Sequence, residues 1–223
     1  MEGRMKRFVP RYLDTASRLG EILFGLIMVL TVTLTASFAV KEGEAGVREL
    51  LLAAIGCNLA WGVIDAVMYL MSSITARSEK ARLVTAVQHA PDSDTALALI
   101  RENVEPDLQA WLAPAEGETF SRSILPYVSQ AQVIRNKVTR DDFYGAIACL
   151  ILVFFSCLPA AVPFLLFSEP HRALRVSNLL LLLLLFLVGW KWARHVDLNP
   201  LASGSVMVLV GLALVGVAIL LGG

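Results

Sequence analysis

The sequence predicts an all-α integral membrane protein with five transmembrane helices and a small helical cytoplasmic domain between helices two and three. Three observations carry this. Of 223 residues, 57% are hydrophobic and 17% charged, with a mean hydropathy of +0.67, a balance unlike that of a soluble domain. Five stretches reach or approach the ~20 apolar residues that cross a hydrocarbon core, namely Ile22 to Val40, Leu50 to Met71, Phe143 to Phe167, Val176 to Trp192 and Leu201 to Leu221. Between the second and third lies a polar segment, residues 73–141, punctuated by helix-capping and helix-breaking residues.

Lys and Arg are unevenly shared among the connecting segments. With the amino terminus inside, 15 fall on the inner side and 4 on the outer, so the positive-inside rule places the amino terminus and residues 73–141 in the cytoplasm and the carboxyl terminus outside. Residues 1–20 form a basic leader, with Arg4, Lys6, Arg7, Arg11 and Arg18 suited to an anionic lipid surface and Phe8 and Tyr12 to the interface. A cleaved secretory signal is the alternative for span one. The apolar run exceeds the ~7 to 15 residues of a signal core and Glu21 sits at its mouth, which favours a retained helix.

Span one carries Glu21, Gly25, Met28, Thr31 and Thr35 along one face. Its threonines often only bond back to carbonyls one turn earlier. Span two holds Asn58 and Asp65 in its interior, and at 3.6 residues per turn Asn58, Trp61, Asp65, Met68, Tyr69 and Ser72 are expected to share a face. A charge in a bilayer turns toward a partner helix or a wet cavity. Counted from the cytoplasmic ends of the two spans, Met28 and Asp65 each lie about 10 Å deep, so they are expected to meet, with Glu21 at the mouth. These polar faces also suggest pairing of two chains through spans one and two.

Two segments then bring a resemblance. Glu21-Ile-Leu-Phe-Gly-Leu-Ile-Met-Val-Leu-Thr is similar to the first span of the vacuolar iron transporter family, and Met68-Tyr-Leu-Met-Ser-Ser-Ile-Thr-Ala-Arg-Ser-Glu79 resembles that family's exit from span two. Pro159-Ala-Ala-Val-Pro-Phe-Leu-Leu resembles its paired-proline third helix. The resemblance implies a homodimer of five-span chains with a cytoplasmic helical insert, transporting divalent iron or manganese. It also implies that Met28 and Met68 stand where the family has metal carboxylates, leaving Asp65, Glu21 and Asn58 to complete a metal site with the two thioethers.

In residues 78–140, Ser78 is expected to cap a helix to about Ala90, Asp92 to Asp94 a second through Val104, and Pro106 to open a third; Thr139 to Asp142 reads as a capping box for span three. The resemblance implies metal-collecting glutamates here. Glu79, Glu102, Glu105, Asp107, Glu116 and Glu118 are interleaved with arginines, which favours a charge-mixed solvated surface. Pro159 and Pro163 are expected to kink span three. Span four, with seven consecutive leucines from Leu179 to Leu185 and no polar face, is expected to face lipid. In span five Ser203, Gly204, Gly211 and Gly216 permit close helix approach.

Cys57, Cys149 and Cys157 all lie in apolar spans without ligand spacing and read as small buried hydrophobes. Zero net charge argues against a nucleic-acid partner. No nucleophile and base pair or phosphate-binding glycine loop points to an enzyme, and no cofactor is expected. The expected function is export of a divalent cation (Fe2+ or Mn2+) from the cytoplasm, with proton coupling open and a bacterial inner membrane as the expected site. A non-transporting scaffold or regulatory protein that keeps the fold is the alternative.

Overall fold

A computed structural model of the chain describes residues 8–39, 44–108, 114–133 and 137–220. Side chains at 35–39, 44–48, 50, 104–108 and 114–115 are outside the description, so Glu105 and Asp107 are not placed, nor is the leader before residue 8. The described elements are α1 (Thr15–Ala39), α2 (Glu44–Gln88), α3 (Ser93–Leu108), α4 (Pro114–Ser129), α5 (Arg140–Leu166), α6 (Pro170–His195) and α7 (Pro200–Leu220). There is no strand among the described residues. Helices α1, α2, α5, α6 and α7 are each long and apolar enough to span a membrane, so the chain is an all-α integral membrane protein.

The chain divides into two compact units, one of residues 1–69 and 140–223, the other Leu70–Thr139. In the first, α1 and α6 form the centre. Leu26, Val29 and Leu30 of α1 pack with Cys157 and Ala160 of α5, Leu181 and Leu185 of α6, and Val215 of α7. Asp14 starts α1 by accepting the Ser17 N–H at 2.6 Å, and that bond holds its carboxyl below the usual range. Ahead of it, residues 8–12 form a helical turn whose Phe8 and Tyr12 rings pack on Tyr144 of α5.

Helix α6 corrects the expectation that span four faces lipid. Ala173, Ser177, Leu181, Leu185, Gly189 and Ala193 are all buried, a row at i, i+4 spacing, and this is the ridge that fits a groove on a neighbouring helix. Its neighbours are α1, α5 and α7. An unbroken leucine run conceals the face, because leucine suits lipid and a packed interior equally; the small residues flanking the run mark it instead. Helices α6 and α7 approach closely, so that a Cβ on Gly189 would stand 2.7 Å from the Ser203 carbonyl and 3.0 Å from Gly204 Cα. The turn joining these helices closes with Asp197 at φ 55°, a left-handed conformation that aspartate tolerates better than most residues. Asn199 then caps α7 through the Leu201 N–H at 3.0 Å.

In the second unit, Leu83 and Val87 of α2, Ala96 and Ile100 of α3, and Ile124, Leu125 and Val128 of α4 enclose a small core. Asp92 caps α3 by accepting the Thr95 N–H at 2.7 Å. Two expected boundaries move. Ser78 caps nothing, since α2 runs through it and its hydroxyl bonds back to the Ile74 carbonyl at 2.8 Å; a serine inside a helix has that alternative to capping. Pro106 opens no helix, because α3 continues to Leu108 and the next helix begins at Pro114. Glu118 meets Arg101 at 2.9 Å and Arg122 at 3.0 Å, and the Arg122 hydrogen bond, with both positive charges, lowers its carboxyl below the usual range.

The α6–α7 contact sets a contrast. Gly189→Leu should lower the melting temperature of the purified protein by several degrees or abolish monodispersity, whereas Gly216→Leu, with nothing within 4 Å of its added Cβ, should change neither. In the second unit, Ile100 is 1% exposed. Ile100→Ala should cost about 2–5 kcal/mol there, read as faster hydrogen exchange in α3 and α4 of the full chain with the spans unchanged.

Candidate functional site

The site is set by a crossing of α1, α2 and α5. Asn58 of α2 is fully buried and its amide donates to two carbonyls on other helices, Gly25 of α1 and Val153 of α5, each at 3.3 Å. Position 25 has to be glycine. A Cβ there would lie 2.8 Å from the Val153 carbonyl and overlap the Ser156 hydroxyl.

Two turns along α2 from Asn58 comes Asp65, and one turn back along α1 from Gly25 comes Glu21. Because the helices run antiparallel, these displacements converge, and the two carboxyl groups lie within hydrogen-bonding reach of each other, with the Cys149 thiol of α5 against Glu21. Ionised carboxylates only accept hydrogen bonds, so neither can satisfy the other while both are charged. One oxygen of each, Glu21 Oε2 and Asp65 Oδ2, is buried without a hydrogen-bond partner, as is Asn58 Oδ1. These orphaned atoms are all acceptors. Only a proton, a donor or a cation satisfies them.

Beside the pair opens a cavity of about 490 Å3 lined by Phe24, Met28 and Thr31 of α1 and Cys57, Trp61 and Asp65 of α2, among others. Thr31 bonds back to the Ile27 carbonyl at 2.8 Å, as membrane threonines often do. The structure therefore brings Asp65 to Glu21, places Met28 along the wall of the cavity that Asp65 also lines, and puts Asn58 at the helix crossing. Met68 is elsewhere, 56% exposed and not on the cavity wall. The helical angle gives the reason: Asp65 follows Asn58 by seven residues and lies about 20° from its direction, whereas Met68 follows by ten and lies about 80° away.

Asp65 stands close to Glu21 as well as lining the cavity with Met28. The polar faces expected to drive pairing of two chains are turned into the chain's own bundle, with Gly25, Asn58 and Gly62 all buried there. Cys149, 1% exposed, is the site residue that sequence reasoning passed over. Its row on α5, Gly145, Cys149 and Val153, is visible as spacing, but nothing in the sequence says that this row meets Glu21. Glu21, Asp65 and Cys149 come together without forming a metal-ligand set, and no group of three His, Cys, Asp or Glu among the described residues is placed to hold a metal ion. In the second unit Glu118 is taken up by Arg101 and Arg122.

No protein-family model matches this chain, and no curated protein matches it.

Burial of the three cysteines differs, since Cys57 is exposed and lines the cavity whereas Cys149 and Cys157 are buried. A water-soluble maleimide should modify Cys57 in the folded protein and reach Cys149 and Cys157 only after denaturation, as mass spectrometry of the labelled chain would show. Equal rates at Cys57 and Cys149 would mean that the carboxyl pair is not enclosed.

Proposed function

We propose that this protein is a membrane transporter exporting a divalent transition-metal cation, Fe2+ or Mn2+, from the cytoplasm, with the Glu21–Asp65 pair exchanging protons for the ion. The observation that carries the reading is the pair itself: two neighbouring carboxyl groups inside membrane-spanning helices, each with an orphaned acceptor oxygen, one of them, Asp65, on the wall of a cavity. Ionisable groups at such positions mark ion pathways and proton relays. With one shared proton the pair carries one negative charge; with the proton gone it carries two, matching a divalent cation. Oxygen ligands suit Fe2+ and Mn2+, and the Met28 thioether on the cavity wall adds a softer donor. The similarity of spans one to three to the vacuolar iron transporter family supports the same cargo, and the basic-residue count supports a cytoplasmic amino terminus, for which a bacterial inner membrane is the proposed setting.

A second copy of the chain is the proposed partner at the cavity side, where Phe24 is 67% and Trp61 42% exposed. Lipid alone there would leave Asp65 facing hydrocarbon, a cost of about 2.5–3.5 kcal/mol on insertion scales. A specific observation favours a second reading, a scaffold that keeps the fold without transport: Met68 points away from the site and no three-residue ligand set is present among the described residues.

Flux of Mn2+ or Fe2+ into proteoliposomes separates the two. Under the transport reading, Asp65→Asn and Glu21→Gln each reduce flux at least tenfold in monodisperse protein, while a scaffold shows no flux above empty vesicles. The carboxylates must be deprotonated to hold a cation, so wild-type flux should weaken as pH falls on the loading side. Flux that rises as that side is acidified would exclude this exchange.

A further inference from the structure

On another side of the first unit, α1, α5 and α6 enclose two adjoining cavities of about 410 and 350 Å3. Leu19, Ile22, Leu152, Phe155 and Lys191 line both, so they form one continuous groove. Its walls differ along its length. At one end stand two cations, Arg18 and Lys191, and beyond them the groove is apolar, walled by Leu26, Leu184, Leu187 and Pro159. Along α1 from Leu19 to Leu26, and along α6 from Lys191 back to Leu184, the apolar part extends about 10 Å into the hydrocarbon.

Arg18 is half-buried and held in place by the Asp14 carbonyl at 3.1 Å and the Thr15 hydroxyl at 2.8 Å, with the Asp14 carboxylate, which accepts the Ser17 N–H, acting on its charge from one side and the groove on the other. Lys191 is exposed, and no described residue offers it an ion pair or hydrogen bond. Trp190 and Trp192 flank it, the residue type that settles at the headgroup level of a bilayer. A cationic head and an apolar trough, opening sideways from a membrane-spanning bundle at interface depth, match one kind of molecule in charge and shape. We propose that this groove binds an anionic phospholipid, its phosphate between Arg18 and Lys191 and an acyl chain along Leu152, Phe155 and Leu184. The site is separate from the Glu21–Asp65 pair and does not depend on transport. By the basic-residue count it belongs to the cytoplasmic leaflet, where anionic lipids meet such cations.

The test uses the full chain in mixed micelles of dioleoyl-phosphatidylglycerol and dioleoyl-phosphatidylcholine at equal amounts, with retained lipid counted by native mass spectrometry. Wild type should retain the anionic lipid about tenfold or more over the zwitterionic one. Each cation near a lipid surface is worth roughly fivefold in affinity. Lys191→Gln, which removes an exposed side chain and disturbs no internal bond, should therefore cut the preference roughly fivefold, and Arg18→Gln/Lys191→Gln should erase it. Arg194→Gln, a neighbouring cation that does not line the groove, should keep it. Equal retention of the two lipids by wild type, or an undiminished preference in Lys191→Gln, would overturn the proposal. Displacement of the lipid by excess inorganic phosphate would also overturn it, since that marks an anion site with no acyl-chain binding.

Discussion

A carboxyl group carried into a bilayer has to be given a polar neighbour, and here that need is met by joining α1, α2 and α5 at one depth. Glu21 and Asp65 face each other, Cys149 lies against Glu21, and Asn58 ties the same three helices together two turns further along α2. The span on α2 is the least enclosed of the bundle together with α7, and most of its large apolar side chains point outward. Apolar packing gives lipid and helix neighbours little to distinguish them, so polar contacts and close backbone approach decide where such a helix sits. Each of the two Asn58 bonds is worth about 0.6 to 2 kcal/mol in membrane systems. Gly25 makes them reachable, because any larger residue would hold α1 off the Val153 carbonyl. A structural role and a functional one thus rest on the same few side chains.

Much of the fold was legible because the bilayer imposes a length and a composition that a sequence displays directly. All five apolar stretches fall in helices long and apolar enough to span a membrane, and Asp92 caps a helix start as its chemistry dictates. What failed were inferences that needed knowledge of a neighbour. The leucine run of α6 has no polar residue to mark its lipid side, so the ridge from Ala173 to Ala193 shows only once α1, α5 and α7 are placed around it. Ser78 has the chemistry of a cap and the context of a helix interior, and context prevailed. At the site, Asp65 and Asn58 were visible as intramembrane polar residues. Glu21 was visible too, as a second acid expected at the mouth of the same site, whereas Cys149, which lies against it, has no local signal at all.

The chemistry available at the pair follows from what its atoms lack. Donors are in short supply: beyond the Cys149 thiol, the two carboxyl groups present only oxygens to each other, and one on each is unmet. A structural carboxyl in a membrane usually has its acceptors filled by hydroxyls, amides or an arginine. Thr31 could have served, and instead its hydroxyl turns back to its own helix. The unmet oxygens therefore favour an occupant that comes and goes over a fixed internal partner.

A site that must release its ion also explains a sparse ligand set better than a resident metal does. Three or four converging charged ligands produce a site from which a divalent ion leaves slowly, as in structural metal centres. Conduction needs binding strong enough to replace hydration and weak enough to end. Under the proposed reading, two carboxylates would compensate the charge of a divalent ion, while neutral donors and water in a cavity of about 490 Å3 would complete its coordination without trapping it. Return of a proton to the pair would remove one of the two charges holding the ion and so weaken the site at the moment of release. The absence of a third charged ligand among the described residues is thus compatible with the proposed cation pathway, for which the carboxyl pair would be the switch.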